Sequence, residues 1–145
     1  MRAVVQRVSS ASVSVDGEEV ASIGRGLCVL VGVGRSDDRA VAERMAERLW
    51  NLRVFEDDTG KMNRSAGELD LAVLVVSQFT LCADTSRGRR PSFVGAAPPE
   101  QAEPLVDHLV EELRRKGASV ATGRFRAHMA VSLVNDGPVT IVLDQ

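Results

Sequence analysis

Two uninterrupted apolar runs constrain the fold of this chain more than any other feature of its sequence. They are GLCVLVGV at residues 26–33 and LAVLVV at residues 71–76. Each run is short for a helix, and a strand without polar alternation is usually covered on both faces. The two runs therefore predict a sheet whose central strands are buried.

Other segments predict the neighbours of these central strands. Apolar and polar residues alternate at 2–8 and 11–15, which is typical of half-buried strands. Asn135-Asp136-Gly137-Pro138 has turn chemistry and predicts a hairpin turn between the last two strands. The further predicted strands are at 18–23, 118–122, 128–134 and 139–143.

Apolar stripes at helical spacing predict two helices, over 37–52 and 99–116. Ser36 or Asp37 is the predicted cap of the first helix, and Gly117 closes the second. The intervening loops are predicted at 53–70 and 82–98. The order is β-β-β-α-β-α-β-β-β with room for one extra hairpin strand. It indicates an α/β protein with a mixed sheet and a second sheet layer, in one domain over residues 1–145.

The composition is that of a soluble globular domain and argues against several functions. Hydrophobic residues make up 44% of the chain and charged residues 26%, and no apolar run reaches the length of a membrane span. The first residues lack a signal-peptide core, so we expect a cytoplasmic protein. Cys28 and Cys82 are too few for a disulfide framework or a zinc site, so we expect free thiols, no metal and no cofactor. The formal net charge of -2 argues that any RNA contact is local.

Polar residues follow the second apolar run at the point where its strand ends. Ser77, Gln78, Phe79 and Thr80 lie there, and ligand sites in α/β proteins collect at strand ends. One interpretation is that the hydroxyls satisfy backbone groups of a turn. The other is a nucleophilic Thr80, which requires a nearby base. No spacing ties His108 or His128 to Thr80, and we expect His108 to be solvent-exposed and His128 to have no role in the site.

Two further motifs each leave two interpretations open. Gly137-Pro138 is part of an ordinary turn, or else a cis bond aligns two carbonyl oxygens that grip an ammonium group. The arginine cluster at 87–90 is a solvated loop or a local phosphate contact. The sequence shows no phosphate-binding glycine-rich loop, paired catalytic carboxylates or metal-ligand spacing.

Four motifs together resemble the D-aminoacyl-tRNA deacylase family over essentially the whole chain. They are MRAVVQRV at 1–8, SQFTL at 77–81, RGRRPSF at 87–93 and VSLVNDGPVT at 131–140. The resemblance implies a homodimer with a three-layer β/β/α fold and two main helices. It also implies an enzyme that hydrolyses the ester between a D-amino acid and the acceptor end of tRNA, and that accepts glycine as well.

The resemblance also implies roles for individual residues. Gly137 and Pro138 form a cis motif that enters the partner subunit's active site, where its carbonyls hold the α-amino group of the substrate. Arg7 fixes the orientation of this motif. The Ser77–Thr80 segment is catalytic: the N–H groups of Phe79 and Thr80 stabilise the oxyanion, and the 2′-hydroxyl of the tRNA assists the attacking water. A covalent Thr80 nucleophile is the alternative mechanism.

The remaining assignments concern the contacts with the tRNA end. Met129 is assigned to substrate binding, while Arg87, Arg89 and Arg90 are candidate RNA contacts. The stretch GRFRAHMAV at 123–131 departs from the family pattern, because Arg126 stands where a glycine is common. Arg126 therefore lies either at the terminal adenosine or on the outside of the protein.

Two other functions compete with this interpretation. One is a catalytically inert module that binds tRNA ends. The other is a sibling editing enzyme that removes a wrong L-amino acid. Hydrolysis of matched D- and L-aminoacyl-tRNA distinguishes all three.

Overall fold

The computed structural model describes residues 1–86 and 88–145. These residues form strands, two α-helices and a short 3₁₀ helix, Phe79–Cys82. The strands and α-helices in chain order are β1 (Arg2–Val15), β2 (Glu18–Ile23), β3 (Gly26–Gly32), α1 (Arg39–Trp50), β4 (Arg53–Glu56), β5 (Met62–Ser65), β6 (Ala72–Ser77), α2 (Pro99–Arg115), β7 (Val120–Thr122) and β8 (Ala130–Asp144).

Six of the strands form one mixed sheet in the order β2-β1-β3-β6-β7, with β8 also paired to β1. The strands β3, β6 and β7 are parallel, whereas β1 runs antiparallel to β2, β3 and β8. Parallel neighbours need a crossover, and α1 and α2 lie in the two crossovers. The predicted mixed sheet with two main helices is confirmed.

The central strands are buried on both faces, as their apolar runs predict. Leu27, Val29 and Val31 of β3 belong to the core cluster that includes the helices. Cys28, between them, belongs to a second cluster with Val8 and Val13 of β1. Successive side chains of a strand point to opposite faces, so an uninterrupted apolar run supplies both clusters.

The helices lie close to their predicted positions, with a different cap for α1. Asp38 is its N-cap, and its carboxylate accepts a hydrogen bond from the Val41 N–H at 2.9 Å. Asp37 is instead buried and accepts from the Met1 amino group at 2.5 Å and from the Gly34 N–H at 2.6 Å. The predicted cap at Ser36 or Asp37 is therefore wrong, because Asp37 is occupied by these partners. Gly117 follows α2 with φ +97°, as predicted for its closing residue.

Two pairs of predicted strands are single long strands. The segments 2–8 and 11–15 belong to β1, and the segments 128–134 and 139–143 belong almost entirely to β8. The predicted hairpin turn at 135–138 is wrong, because the chain bulges there without reversing direction. Between the pairs Gln6↔Thr140 and Val8↔Asn135, β1 advances by two residues and β8 by five. The surplus residues of β8 leave the ladder as a bulge.

The predicted loop at 53–70 contains the antiparallel pair β4–β5 as its ordered part.

No helix among the described residues is long and apolar enough to cross a membrane.

Candidate active site

A pocket of about 630 Å³ opens at the carboxyl ends of the three parallel strands. Val31 of β3 and Val76 of β6 form part of its apolar wall, and Met129 lies in the segment that follows β7. The carboxyl edge of parallel strands is where ligand sites of α/β proteins usually lie. The fold therefore places Ser77, Gln78 and Phe79, which end β6, in the pocket lining.

The chain turns sharply after Ser77 into the 3₁₀ helix. The Gln78 N–H donates to the Val31 carbonyl at 2.7 Å, and the first hydrogen bond of the turn runs from the Leu81 N–H to the Gln78 carbonyl at 3.2 Å. The amides of Phe79 and Thr80 precede that bond and have no helical partner. Two adjacent backbone donors are therefore available beside the pocket.

Gly32 of β3 lies directly beneath this turn. A Cβ atom at Gly32 would lie 2.9 Å from Leu81 Cβ and 3.0 Å from the Gln78 carbonyl oxygen. Real Cβ atoms essentially never approach other atoms as closely as the first of these distances. Only glycine lets the 3₁₀ helix pack this closely against β3.

The side chains of the turn leave Thr80 without a visible base. The Gln78 side-chain amide donates to the Thr80 hydroxyl at 2.5 Å. Thr80 is exposed and, unlike its three predecessors, is not part of the pocket lining. His128 lines the pocket, but no hydrogen bond joins it to Thr80 within 1–86 and 88–145. The surroundings of Thr80 give no support to activation of its hydroxyl.

His108 is buried, and the prediction that it is solvent-exposed is wrong. Its Nε2 lies 3.1 Å from a Glu43 carboxylate oxygen of α1 and 3.6 Å from a Glu112 oxygen one turn along α2. These polar partners compensate the cost of burial. The three side chains could hold a metal, since their ligand atoms lie within 4.8 Å of one another. The Arg115 guanidinium already forms an ion pair with Glu112 at this position.

Gly137 and Pro138 lie at the surface in the bulge of β8, joined by a cis peptide bond. Neither residue belongs to the pocket lining of its own chain. The Asn135 side chain holds the bulge from within, accepting from the Val139 N–H at 2.8 Å and donating to the Thr140 hydroxyl at 3.0 Å.

Arg7 supports the bulge from below. It is 7% exposed, and its guanidinium donates to the Asp136 carbonyl at 2.9 Å and to the Val54 carbonyl at 2.6 Å. A Cβ atom at Gly137 would lie 3.1 Å from Arg7 Nη2 and 3.0 Å from the Val139 nitrogen. The guanidinium and the glycine therefore fit together closely.

Arg89 and Arg90, two of the three predicted RNA contacts, lie outside the pocket lining. Arg87 falls outside the described residues, while Arg89 and Arg90 are exposed. Their loop is closed by the bridge between Asp84 and Ser92, with hydrogen bonds of 2.8 and 2.9 Å. The pKa of Asp84 is lowered by hydrogen bonds from Ser86. The base of the arginine loop is thus held by these hydrogen bonds, and the Arg89 and Arg90 side chains face solvent.

Sequence reasoning missed part of the pocket wall. Phe93 packs edge-on against Phe79, with ring centroids 5.1 Å apart, and Phe79 remains 58% exposed. Phe125 and Arg126 also line the pocket. Phe93 and Phe125 stand within quoted sequence motifs, but only the folded chain brings them to one pocket.

A protein-family model described as D-Tyr-tRNA(Tyr) deacylase matches residues 4–144. The D-aminoacyl-tRNA deacylase of Thermomicrobium roseum is 60% identical over 144 residues, which cover 99% of this chain and 94% of the relative. That of Symbiobacterium thermophilum is 62% identical over 144 residues, with 99% and 95% covered. The similarity therefore extends over nearly the full length of both chains.

Solved structures show the same overall likeness. The structure of the c-Myc DNA Unwinding Element Binding Protein has a TM-score of 0.94 at 45% identity and covers 100% of this chain and 99% of its own. The structure of a probable eukaryotic D-amino acid tRNA deacylase has a TM-score of 0.85 at 17% identity, with 99% and 98% covered. The likeness to this second structure shows that the two chains share a fold.

Arg7→Met tests the support of the bulge. Methionine keeps the apolar stem but leaves the Val54 and Asp136 carbonyls without their charged donor, so we expect the free energy of unfolding to fall by about 2–4 kcal/mol. Hydrogen exchange at the Val139 amide should accelerate. The control is Arg2→Met, which breaks an exposed pair with Asp144 and should cost at most about 1 kcal/mol. Equal losses of unfolding free energy in Arg7→Met and Arg2→Met would contradict the conclusion that Arg7 supports the bulge.

Proposed function

The chain belongs to the D-Tyr-tRNA(Tyr) deacylase family, and we propose that it hydrolyses the ester between a D-amino acid and the terminal adenosine of tRNA. As a member of this family it is a hydrolase of aminoacyl-tRNA esters. The observation that carries the proposal is the full-length match to curated relatives. The pocket geometry supports it, because Ser77, Gln78 and Phe79 line an apolar pocket beside two backbone amides that have no helical partner.

The chemistry requires little from the side chains. Water adds to the ester carbonyl, and the N–H groups of Phe79 and Thr80 stabilise the oxyanion. The carbon–oxygen bond to the ribose then breaks, and the ribose oxygen takes a proton. In our proposal the neighbouring 2′-hydroxyl of the tRNA orients the water, which is consistent with the lack of a base beside Thr80 in the described part of the chain.

We further propose that the enzyme is a homodimer in which the Gly137-Pro138 bulge of one protomer enters the partner's pocket. The bulge is exposed and pinned by Arg7 and Asn135, so its carbonyls are held ready for a contact outside their own chain. These carbonyls hold the α-ammonium of the substrate. Backbone then fills the space of an L side chain and rejects L substrates, while glycine has no side chain to reject. The reaction takes place in the cytoplasm, with the acceptor end of aminoacyl-tRNA as the partner.

Deacylation of three matched substrates tests this function. We expect the purified protein to hydrolyse D-tyrosyl-tRNA and glycyl-tRNA and to leave L-tyrosyl-tRNA at its spontaneous rate. Preference for a misacylated L-amino acid would instead identify the sibling editing activity. Binding of all three without hydrolysis would identify an inert module.

Thr80→Ala separates the two mechanisms. Because the backbone amide survives the substitution and no described side chain acts as a base on the hydroxyl, we expect kcat for D-tyrosyl-tRNA to stay within about tenfold of the wild type. Thr59→Ala, in an exposed turn, is the matched control. A loss of several orders of magnitude with the fold intact, or a trapped acyl-Thr80 ester, would establish the covalent mechanism.

The double variant Arg89→Ala/Arg90→Ala tests the RNA contact. We expect weaker binding of every aminoacyl-tRNA, with the salt slope reduced by about one for each lost phosphate contact. Chirality should not change, since neither side chain lines the pocket. Arg39→Ala/Arg44→Ala, exposed on α1, is the control pair. Unchanged affinity and slope would identify a solvated loop, and new L-substrate cleavage would mean that the loop shapes the pocket.

A further inference from the structure

Arg126 has a backbone conformation that arginine seldom adopts. It is the third residue of a turn closed by a hydrogen bond of 3.2 Å from the Ala127 N–H to the Arg124 carbonyl. Its φ is +61°, in the left-handed region. A positive φ at this position of a turn favours glycine, and a residue with a Cβ loses about 1–2 kcal/mol there. Arg126 is therefore held at a conformational cost.

The positive φ of Arg126 occurs in the pocket lining. Among the described residues, Asp16 and Asp70 are the other non-glycine residues with positive φ, at +52° and +51°. Aspartate tolerates this region because its short side chain bonds locally to the backbone, which the long arginine side chain does not do. Neither aspartate lines the pocket, whereas Arg126 does. Strain kept at a pocket wall indicates a function for the side chain.

The charge of the pocket indicates what that function is. Its described lining contains no aspartate or glutamate, and Arg126 and His128 are its ionisable residues. Arg126 is exposed and takes part in none of the ion pairs formed within 1–86 and 88–145. A guanidinium in an apolar pocket without carboxylates favours an anionic ligand.

We propose that Arg126 binds the phosphate on the 5′ side of the terminal adenosine of tRNA. This inference rests on the proposed function. The reacting end of the substrate carries a cationic α-amino group and a neutral ester, so the nearest anion is that phosphate. The planar guanidinium matches phosphate oxygens in a bidentate geometry. Phe125 and Met129, apolar neighbours in the same wall, provide surface for the nucleoside.

The test compares substrates with and without the phosphate. The probes are D-tyrosyl-tRNA, 3′-O-D-tyrosyl-adenosine 5′-phosphate and 3′-O-D-tyrosyl-adenosine. We expect Arg126→Gln to lower kcat/KM by about 10- to 100-fold for the first two, because a charge-assisted hydrogen bond is lost, and by less than about twofold for the third. Arg124→Gln, in the same turn but outside the pocket lining, should leave all three unchanged.

Binding measurements separate this inference from the proposed function. We expect the wild type to bind adenosine 5′-monophosphate about tenfold more tightly than adenosine, and Arg126→Gln to bind both alike. Failure of the wild type to hydrolyse any D-tyrosyl substrate would reject the function, while the binding preference still tests Arg126. Equal losses on phosphorylated and unphosphorylated probes, or a wild type with no preference for the monophosphate, would overturn the inference.

Arg126→Gly tests the strain by itself. Glycine relieves the positive φ, so we expect Tm to rise by about 3 °C while the preference for the phosphorylated probe is lost. A fall in Tm would show that the arginine side chain supports the fold, and would remove the argument from strain.

Discussion

The pairing of β1 with β8 is the constraint on which the rest of the structure depends. β1 bonds to β3 along its first half and to β2 along its second, while β8 follows it along both. The larger of the two breaks in the β8 ladder lies opposite Arg7, where β8 has surplus residues. The buried Arg7 guanidinium donates to the Asp136 carbonyl there. This hydrogen bond holds the bulge of β8 in one position, where it projects from the sheet. The same sheet supplies β3 and β6, whose carboxyl ends form the pocket.

Local patterns in the sequence predict the elements well and their long-range pairing poorly. The apolar runs at 26–33 and 71–76 and both helical stripes are read from neighbours a few residues apart, and each corresponds to an element of the structure. The residues Asn135 to Pro138 are of the types that form hairpin turns, and the same residue types also occur in a bulge. Only the register against β1, more than a hundred residues away, decides between them. His108 is similar, since its partner Glu43 lies on another helix.

The pocket residues also divide into those that local sequence predicts and those that depend on long-range contacts. Ser77, Gln78 and Phe79 could be placed from sequence because a polar segment directly follows a buried strand. The contribution of Phe93 and Phe125 to the pocket depends on how loops fold over the sheet edge and has no local signal. For Arg126, the departure from the family pattern left two positions open, and the fold places it in the pocket lining. The roles of Gly137, Pro138 and Arg7 came from resemblance to a family, since no spacing connects them. The structure shows the contact between Arg7 and the bulge, and the proposed contact with a partner extends it.

The two amide donors of the turn after β6 belong to the main chain, and this changes where the protein is vulnerable to mutation. A substitution at Phe79 or Thr80 changes a side chain and leaves its N–H in place. A substitution at Gly32, a strand away, introduces a Cβ that collides with Leu81 and with the Gln78 carbonyl and displaces both donors at once. Substitutions are therefore most harmful at the small residues packed behind the turn, and less harmful at the residues that would face a substrate. Selection acting on the chemistry would be recorded in the core.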